Sequence, residues 1–124
     1  MMIAAGLLVL ASCKKEQECD TRTESELQVE FTNKTGEDLK DFTIAGTTTD
    51  VKNNKTTCPI GMESLMFMGT SVMEGCSARM NGNEILGFHW FCATGAEIVT
   101  EGRYKVDVGT TEMNDIEYLT LELK

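Results

Sequence analysis

Leu27, Val29 and Phe31 alternate with Gln28, Glu30 and Thr32. A period of two marks a strand with one buried face. Asn33-Lys34-Thr35-Gly36 interrupts it as a turn. Residues 39–45 resume a strand, with Phe42 and Ile44 facing one way. Gly46 and the threonines at 47–49 lead on to Val51, and Asn53-Asn54 turns the chain again. Residues 56–60 and 65–72 are the next extended segments. Asn81-Gly82 is the strongest hairpin signal, because a tight primed turn needs positive φ at both central residues. It separates residues 76–80 from 84–92. Thr94-Gly95 and Gly102 punctuate the next stretch, after which Tyr104, Val106 and Val108 alternate. The last strand places Leu119, Leu121 and Leu123 on one face and Tyr118, Thr120 and Glu122 on the other.

No window holds a 3.6-residue period over a dozen positions. The chain has 11 glycines and short strands at roughly ten-residue spacing. These features predict an all-β domain over residues 27–124, an antiparallel β-sandwich of immunoglobulin-like or jelly-roll-like type. A small closed barrel is the alternative. About a hundred residues bury one modest core.

Upstream of this domain the pattern changes twice. Residues 3–11 are apolar or glycine. Such a run is shorter than the ~20 residues a helix needs to span a bilayer. It fits the apolar region of a secretory signal over residues 1–12, although no Lys or Arg precedes it. Residues 13–26 are polar and aperiodic and predict a flexible tether.

Leu10-Ala11-Ser12-Cys13 resembles the lipobox of bacterial lipoproteins. The resemblance implies diacylglycerol transfer to the Cys13 sulfur, cleavage before Cys13 and acylation of the new terminus. Two or three acyl chains then hold firmly where one holds weakly. Lys14 follows the cysteine, which by resemblance to Gram-negative lipoproteins disfavours retention in the inner membrane. Lys14-Lys15-Glu16-Gln17-Glu18 resembles the tether with which Bacteroidota-type lipoproteins reach the cell surface. The expected location is the outer membrane, facing the periplasm or exposed at the surface. Residues 27–108 also resemble small lipoproteins of that type, through FTNKTGEDLKDFTI, HWFCATG and EGRYKVDV. That resemblance implies a compact β-domain behind a lipid anchor and transfers no catalytic residues.

Charge narrows the partners. The chain carries 11 Lys and Arg against 20 Asp and Glu, a net of −9. Phosphate backbones are held by dense Lys/Arg patches, and none occurs here, so nucleic acid is excluded as an expected partner. An acidic exterior also repels anionic lipid, which leaves Cys13 as the membrane attachment.

The five cysteines are Cys13, Cys19, Cys58, Cys76 and Cys92. Removing Cys13 to a lipid leaves an even four, and an oxidising compartment then favours two disulfides. Three connectivities are open. Cys76 with Cys92 is the preferred pair, since both lie on one expected hairpin, and Cys19 with Cys58 would fasten the tether to the domain.

Catalytic equipment is sparse. One histidine, His89, excludes multi-histidine metal centres, and no nucleophile elbow, phosphate-cradling loop or EF-hand loop is present. No enzyme activity and no cofactor are expected. Met62, Met66, Met68 and Met73 would suit copper(I) as soft ligands, but methionine also fills irregular cores. Phe88, His89, Trp90 and Phe91 form one aromatic cluster. The expected core face carries Leu86, Phe88, Trp90 and Cys92, leaving Ile85, His89 and Phe91 outside. Asn33-Lys34-Thr35 and Asn54-Lys55-Thr56 match a glycosylation sequon but read as turn residues.

The expectation is a membrane-anchored, non-enzymatic lipoprotein whose β-domain binds a protein partner, of inhibitor or immunity type. The first alternative is a carbohydrate- or envelope-binding module using His89, Trp90 and Phe91. The second is copper handling through the four methionines.

Overall fold

The computed structural model describes Cys19 and residues 25–88 and 95–124. Eleven strands and no helix account for the described secondary structure. They are β1 (Leu27–Asn33), β2 (Leu39–Ile44), β3 (Thr47–Val51), β4 (Ile60–Met62), β5 (Leu65–Met68), β6 (Ser71–Val72), β7 (Cys76–Met80), β8 (Asn83–Gly87), β9 (Glu97–Val99), β10 (Gly102–Met113) and β11 (Ile116–Leu123). The main sheet runs β3-β2-β7-β8-β11-β10-β1-β4 and is nearly closed into a barrel-like shape. The short strands β5, β6 and β9 extend it from β11. The all-β expectation holds, and the near-closure matches the small-barrel alternative named beside the sandwich.

Two pairings are parallel where the sequence pattern suggests antiparallel neighbours. β1 runs parallel to β10 over its whole length, and β8 runs parallel to β11 at Leu86–Tyr118 and Gly87–Leu119. Alternation within a strand says which face is buried and nothing about the direction of the neighbour.

Four two-residue hairpins fold the chain locally, one of them the Gly69-Thr70 link between β5 and β6. Asn81 and Gly82 both have positive φ, as the primed turn expected there requires. Ala45-Gly46 joins β2 to β3, and Asn114-Asp115 joins β10 to β11, also with positive φ at both positions. A bulge interrupts β2 between Leu39 and Phe42. At that point Asp41 takes φ 52° and its N–H donates to Asp50 Oδ1 at 2.9 Å.

The core draws on nearly every strand. Leu27, Val29 and Phe31 from β1 meet Leu39, Phe42 and Ile44 from β2, Val106 and Val108 from β10, and Leu119 and Leu121 from β11. Phe31 and Phe42 pack edge to face with centroids 5.4 Å apart. Asn33 is the one fully buried polar side chain among the described residues. Its Nδ2 donates to the carbonyls of Glu37 and Val51, and its Oδ1 accepts from the N–H and hydroxyl of Thr35. The side chain of this sequon is spent pinning the β1–β2 turn against the end of β3.

The stretch after β3 runs back along β1. Thr57 N–H donates to Phe31 O, Asn33 N–H donates to Lys55 O, and the hydroxyls of Thr32 and Thr56 lie 2.7 Å apart. This brings Cys58 to Cys19, and the two form a disulfide. Cys19, upstream of β1, is therefore fastened to the domain, and the Cys19–Cys58 pairing named from sequence holds.

One face assignment is corrected. Ile85 is buried at 4% exposure, whereas Leu86 is 49% exposed. Ile85 faces Ala78 across the β7–β8 hairpin in the core, and Leu86 lies beside Tyr118 on the outside. β8 also ends at Gly87, short of the residue 92 suggested by its apolar run.

Candidate functional site

The outer face of β8, β10 and β11 carries the largest concentration of exposed apolar side chains among the described residues. On β11 the inward set is Leu119 and Leu121, which turns Ile116, Tyr118, Thr120 and Glu122 outward. Register then fixes their neighbours on β10. Met113 lies opposite Ile116, Thr111 opposite Tyr118, Gly109 opposite Thr120 and Asp107 opposite Glu122. On the other side of β11, Leu86 sits beside Tyr118, and the Phe88 ring meets the Tyr118 ring edge to face at 5.6 Å. Phe88 N–H donates to Leu119 O, which holds Phe88 at this edge.

Between these side chains lies a groove of about 310 Å³, walled by Phe88, Val72 and Met113, floored by Thr111 and Thr120, and closed at one end by Glu122. Gly109 keeps the floor low. A Cβ there would stand 3.1 Å from Thr120 Oγ1. Leu86, Met113 and Ile116 are each about half exposed. Three large apolar groups standing together on the polar side of a sheet are a cost to a solitary domain in water.

A second, polar cavity of about 440 Å³ lies at the loop end, between Gly36–Asp38, Asn53 and the Asn81-Gly82 turn. Its polar groups serve one another. Asn53 Oδ1 accepts from Gly36 N–H, Asp38 Oδ1 accepts from Asn53 N–H, and Arg79 Nη2 donates to Gly82 O. The first two bonds tie the β1–β2 turn to the turn after β3, and the third closes the β7–β8 hairpin on itself.

No protein family, curated protein or solved structure matches this chain.

Of the residues singled out from sequence, Cys13, His89, Trp90, Phe91 and Cys92 lie outside the described residues. Cys19 and Cys58 are joined. Cys76 carries a free thiol, and the pairing expected for it falls on Cys92. The Cys76 thiol is packed against Gly87, and burial pushes its pKa up to about 11. At neutral pH it is a protonated thiol with little nucleophilic character. The four methionines are separated in role. Met62 is buried in the core opposite Leu27. Met66 and Met68 stand on the face of β5 away from the buried Leu65. Met73 follows β6, with its N–H donating to Met66 O.

Met113 and Ile116 were not singled out from sequence, and Leu86 was expected in the core. The signal was present in the last strand, where Ile116 shares the alternating polar face with Tyr118, Thr120 and Glu122.

Proposed function

We propose that this protein is a lipid-anchored, non-enzymatic lipoprotein of the outer membrane whose β-domain binds another protein. The observation that carries the binding role is the exposed apolar face of Leu86, Met113 and Ile116 around the Phe88–Tyr118 pair. Exposed apolar groups of this kind, ringed by polar ones, are characteristic of protein-binding surfaces. The anchor rests on the lipobox-like Leu10-Ala11-Ser12-Cys13. An inhibitor or immunity role fits a small stapled domain presented on a tether.

Two measurements test this. Mass spectrometry of the mature chain is expected to find an N-terminal Cys13 carrying acyl chains; an unmodified Cys13 overturns the anchor. Crosslinking of intact producing cells is expected to trap the full chain with a discrete second polypeptide. Absence of any polypeptide adduct, with glycans quenching Trp90 fluorescence instead, overturns the protein-binding role.

A further inference from the structure

We infer that the outer face of β1 and β10, beside the Cys19–Cys58 bond, is held against the lipid surface, with a headgroup phosphate seated at Arg103 and Lys105. This rests on the anchor at Cys13 proposed above and adds the face that meets the membrane and the groups that recognise it.

Reach comes first. Six peptide steps separate Cys13 from Cys19, so the two lie no more than about 20 Å apart. The Cys19 and Cys58 Cα atoms are 5.3 Å apart. Cys58 is therefore kept within about 25 Å of the anchoring residue. Measured instead to Leu27, where β1 begins, the allowance would be roughly 50 Å. The disulfide halves the distance at which the domain can stand, and it chooses the side that stands nearest.

Register fixes that side. Thr56 meets Thr32 through their hydroxyls on the face of β1 turned away from Phe31 and the core, and Cys58 follows two positions later on the same face. Gln28 and Glu30 share this face on β1, and Arg103 and Lys105 lie beside them on the parallel β10. Together with Pro59 they line a hollow of about 280 Å³ next to Cys58. Its charge runs against that of the chain. The lining holds two cations and one carboxylate, Glu30, in a chain of net −9. Among the described residues, the side chains of Arg103 and Lys105 are engaged by no ion pair or hydrogen bond. Asp107, the next residue on this face of β10, is taken by Lys124 Nζ at 3.5 Å. Glu26 and Glu101, just ahead of the two strands, line no part of the hollow. Guanidinium and ammonium groups bind phosphate through charge-assisted hydrogen bonds. Their long stems also carry the charge outward, past the shorter Glu30. The acidic remainder of the domain is repelled by anionic lipid, so the field that draws this face in turns the rest outward.

The test uses the full chain purified from producing cells, in vesicles of phosphatidylethanolamine and phosphatidylglycerol that carry a spin label on the headgroup. A fluorescent coumarin amino acid is placed at Thr56, on the face in question, or at Arg79 on β7, four strands away from β1 in the sheet. Quenching at Thr56 is expected to exceed that at Arg79 at least threefold. Arg103→Gln with Lys105→Gln is expected to reduce the Thr56 quenching at least twofold, while the melting temperature and the acylated mass of Cys13 stay unchanged. Equal quenching at the two sites, stronger quenching at Arg79, or indifference to the two substitutions overturns the inference. So does loss of the Thr56 signal to inorganic phosphate at matched ionic strength, which would assign the hollow to a free anion. A chain acylated at Cys13 that shows no preference between the sites leaves the anchor standing and removes only the face; a chain with an unmodified Cys13 removes both.

Discussion

Single residues show where this fold tolerates no exchange. Asn33 has no solvent to fall back on, and three neighbouring residues depend on it. Asn33→Ala takes the side-chain donor from the buried Val51 carbonyl, leaves Glu37 O with the Thr35 hydroxyl alone and frees the β1–β2 turn, so it is expected to cost about 1–3 kcal/mol in a denaturant titration. Gly87 is required for space. Its backbone passes so close to Cys76 that an added Cβ would stand 2.8 Å from Sγ and 3.3 Å from the Cys76 N and O. Gly87→Ala is therefore expected to destabilise by about 1–3 kcal/mol. Cys76→Ala in the same chain should restore part of that loss, because it removes the nearest of the three atoms, and a double-mutant cycle reads the coupling directly. The raised pKa of Cys76 adds a pH dependence with a definite sign. In the folded chain the thiol stays protonated until about pH 11, whereas the unfolded chain ionises near its ordinary 9.0. The folded form then holds the extra proton, so this contribution to stability is complete below pH 9 and lost as pH rises from 9 towards 11. With Cys76 reduced, iodoacetamide is expected to react slowly at pH 7–8 and faster with each unit up to about 11.

Strands and hairpins show what alternation can and cannot tell. Burial on β1 and β11 follows the polar–apolar order of the sequence, since one face of each strand meets the core. Leu86 breaks that expectation. In a run such as Ile85-Leu86-Gly87-Phe88 both faces carry apolar groups, so hydropathy does not say which way the strand points. Packing decides instead: Gly87 fits against Cys76, and Ile85 falls in line with Ala78. The groove was hidden from the sequence for the same reason. Its walls come from strands brought together by the parallel β8–β11 pair, which no local pattern encodes. The Asn81-Gly82 turn was legible because its dihedral demands are local, while Asn114-Asp115 achieves the same geometry with a less distinctive pair. On the β10–β11 hairpin, Glu117→Lys replaces a like-charge pair with an opposite one, and thermal unfolding is expected to show a gain of about 0.5 kcal/mol.

At the scale of the whole molecule, one barrel-like sheet is brought nearly to closure by contacts between distant parts of the chain. The all-β class and the start of the first strand at Leu27 could be read in advance, because they depend on periodicity and composition. Strand order could not, since β1 chooses β10 as its neighbour across some seventy intervening residues through the shape of the shared core. The Cys19–Cys58 bond spans 39 positions. Replacing both cysteines with serine is expected to lower stability by about 4 kcal/mol on the loop-entropy account, measured against the oxidised chain under identical conditions.

That bond also sets a path for mechanical load. A pull on the chain upstream of Cys19 does not arrive at Leu27 alone. Part of it passes through the disulfide to Cys58, and so into the segment hydrogen-bonded along β1 at Phe31 and Asn33. Peeling β1 away from its first residue then requires shearing that neighbouring segment at the same time. Stretched from its N-terminus, the oxidised domain yields as a block, and the reduced one unzips.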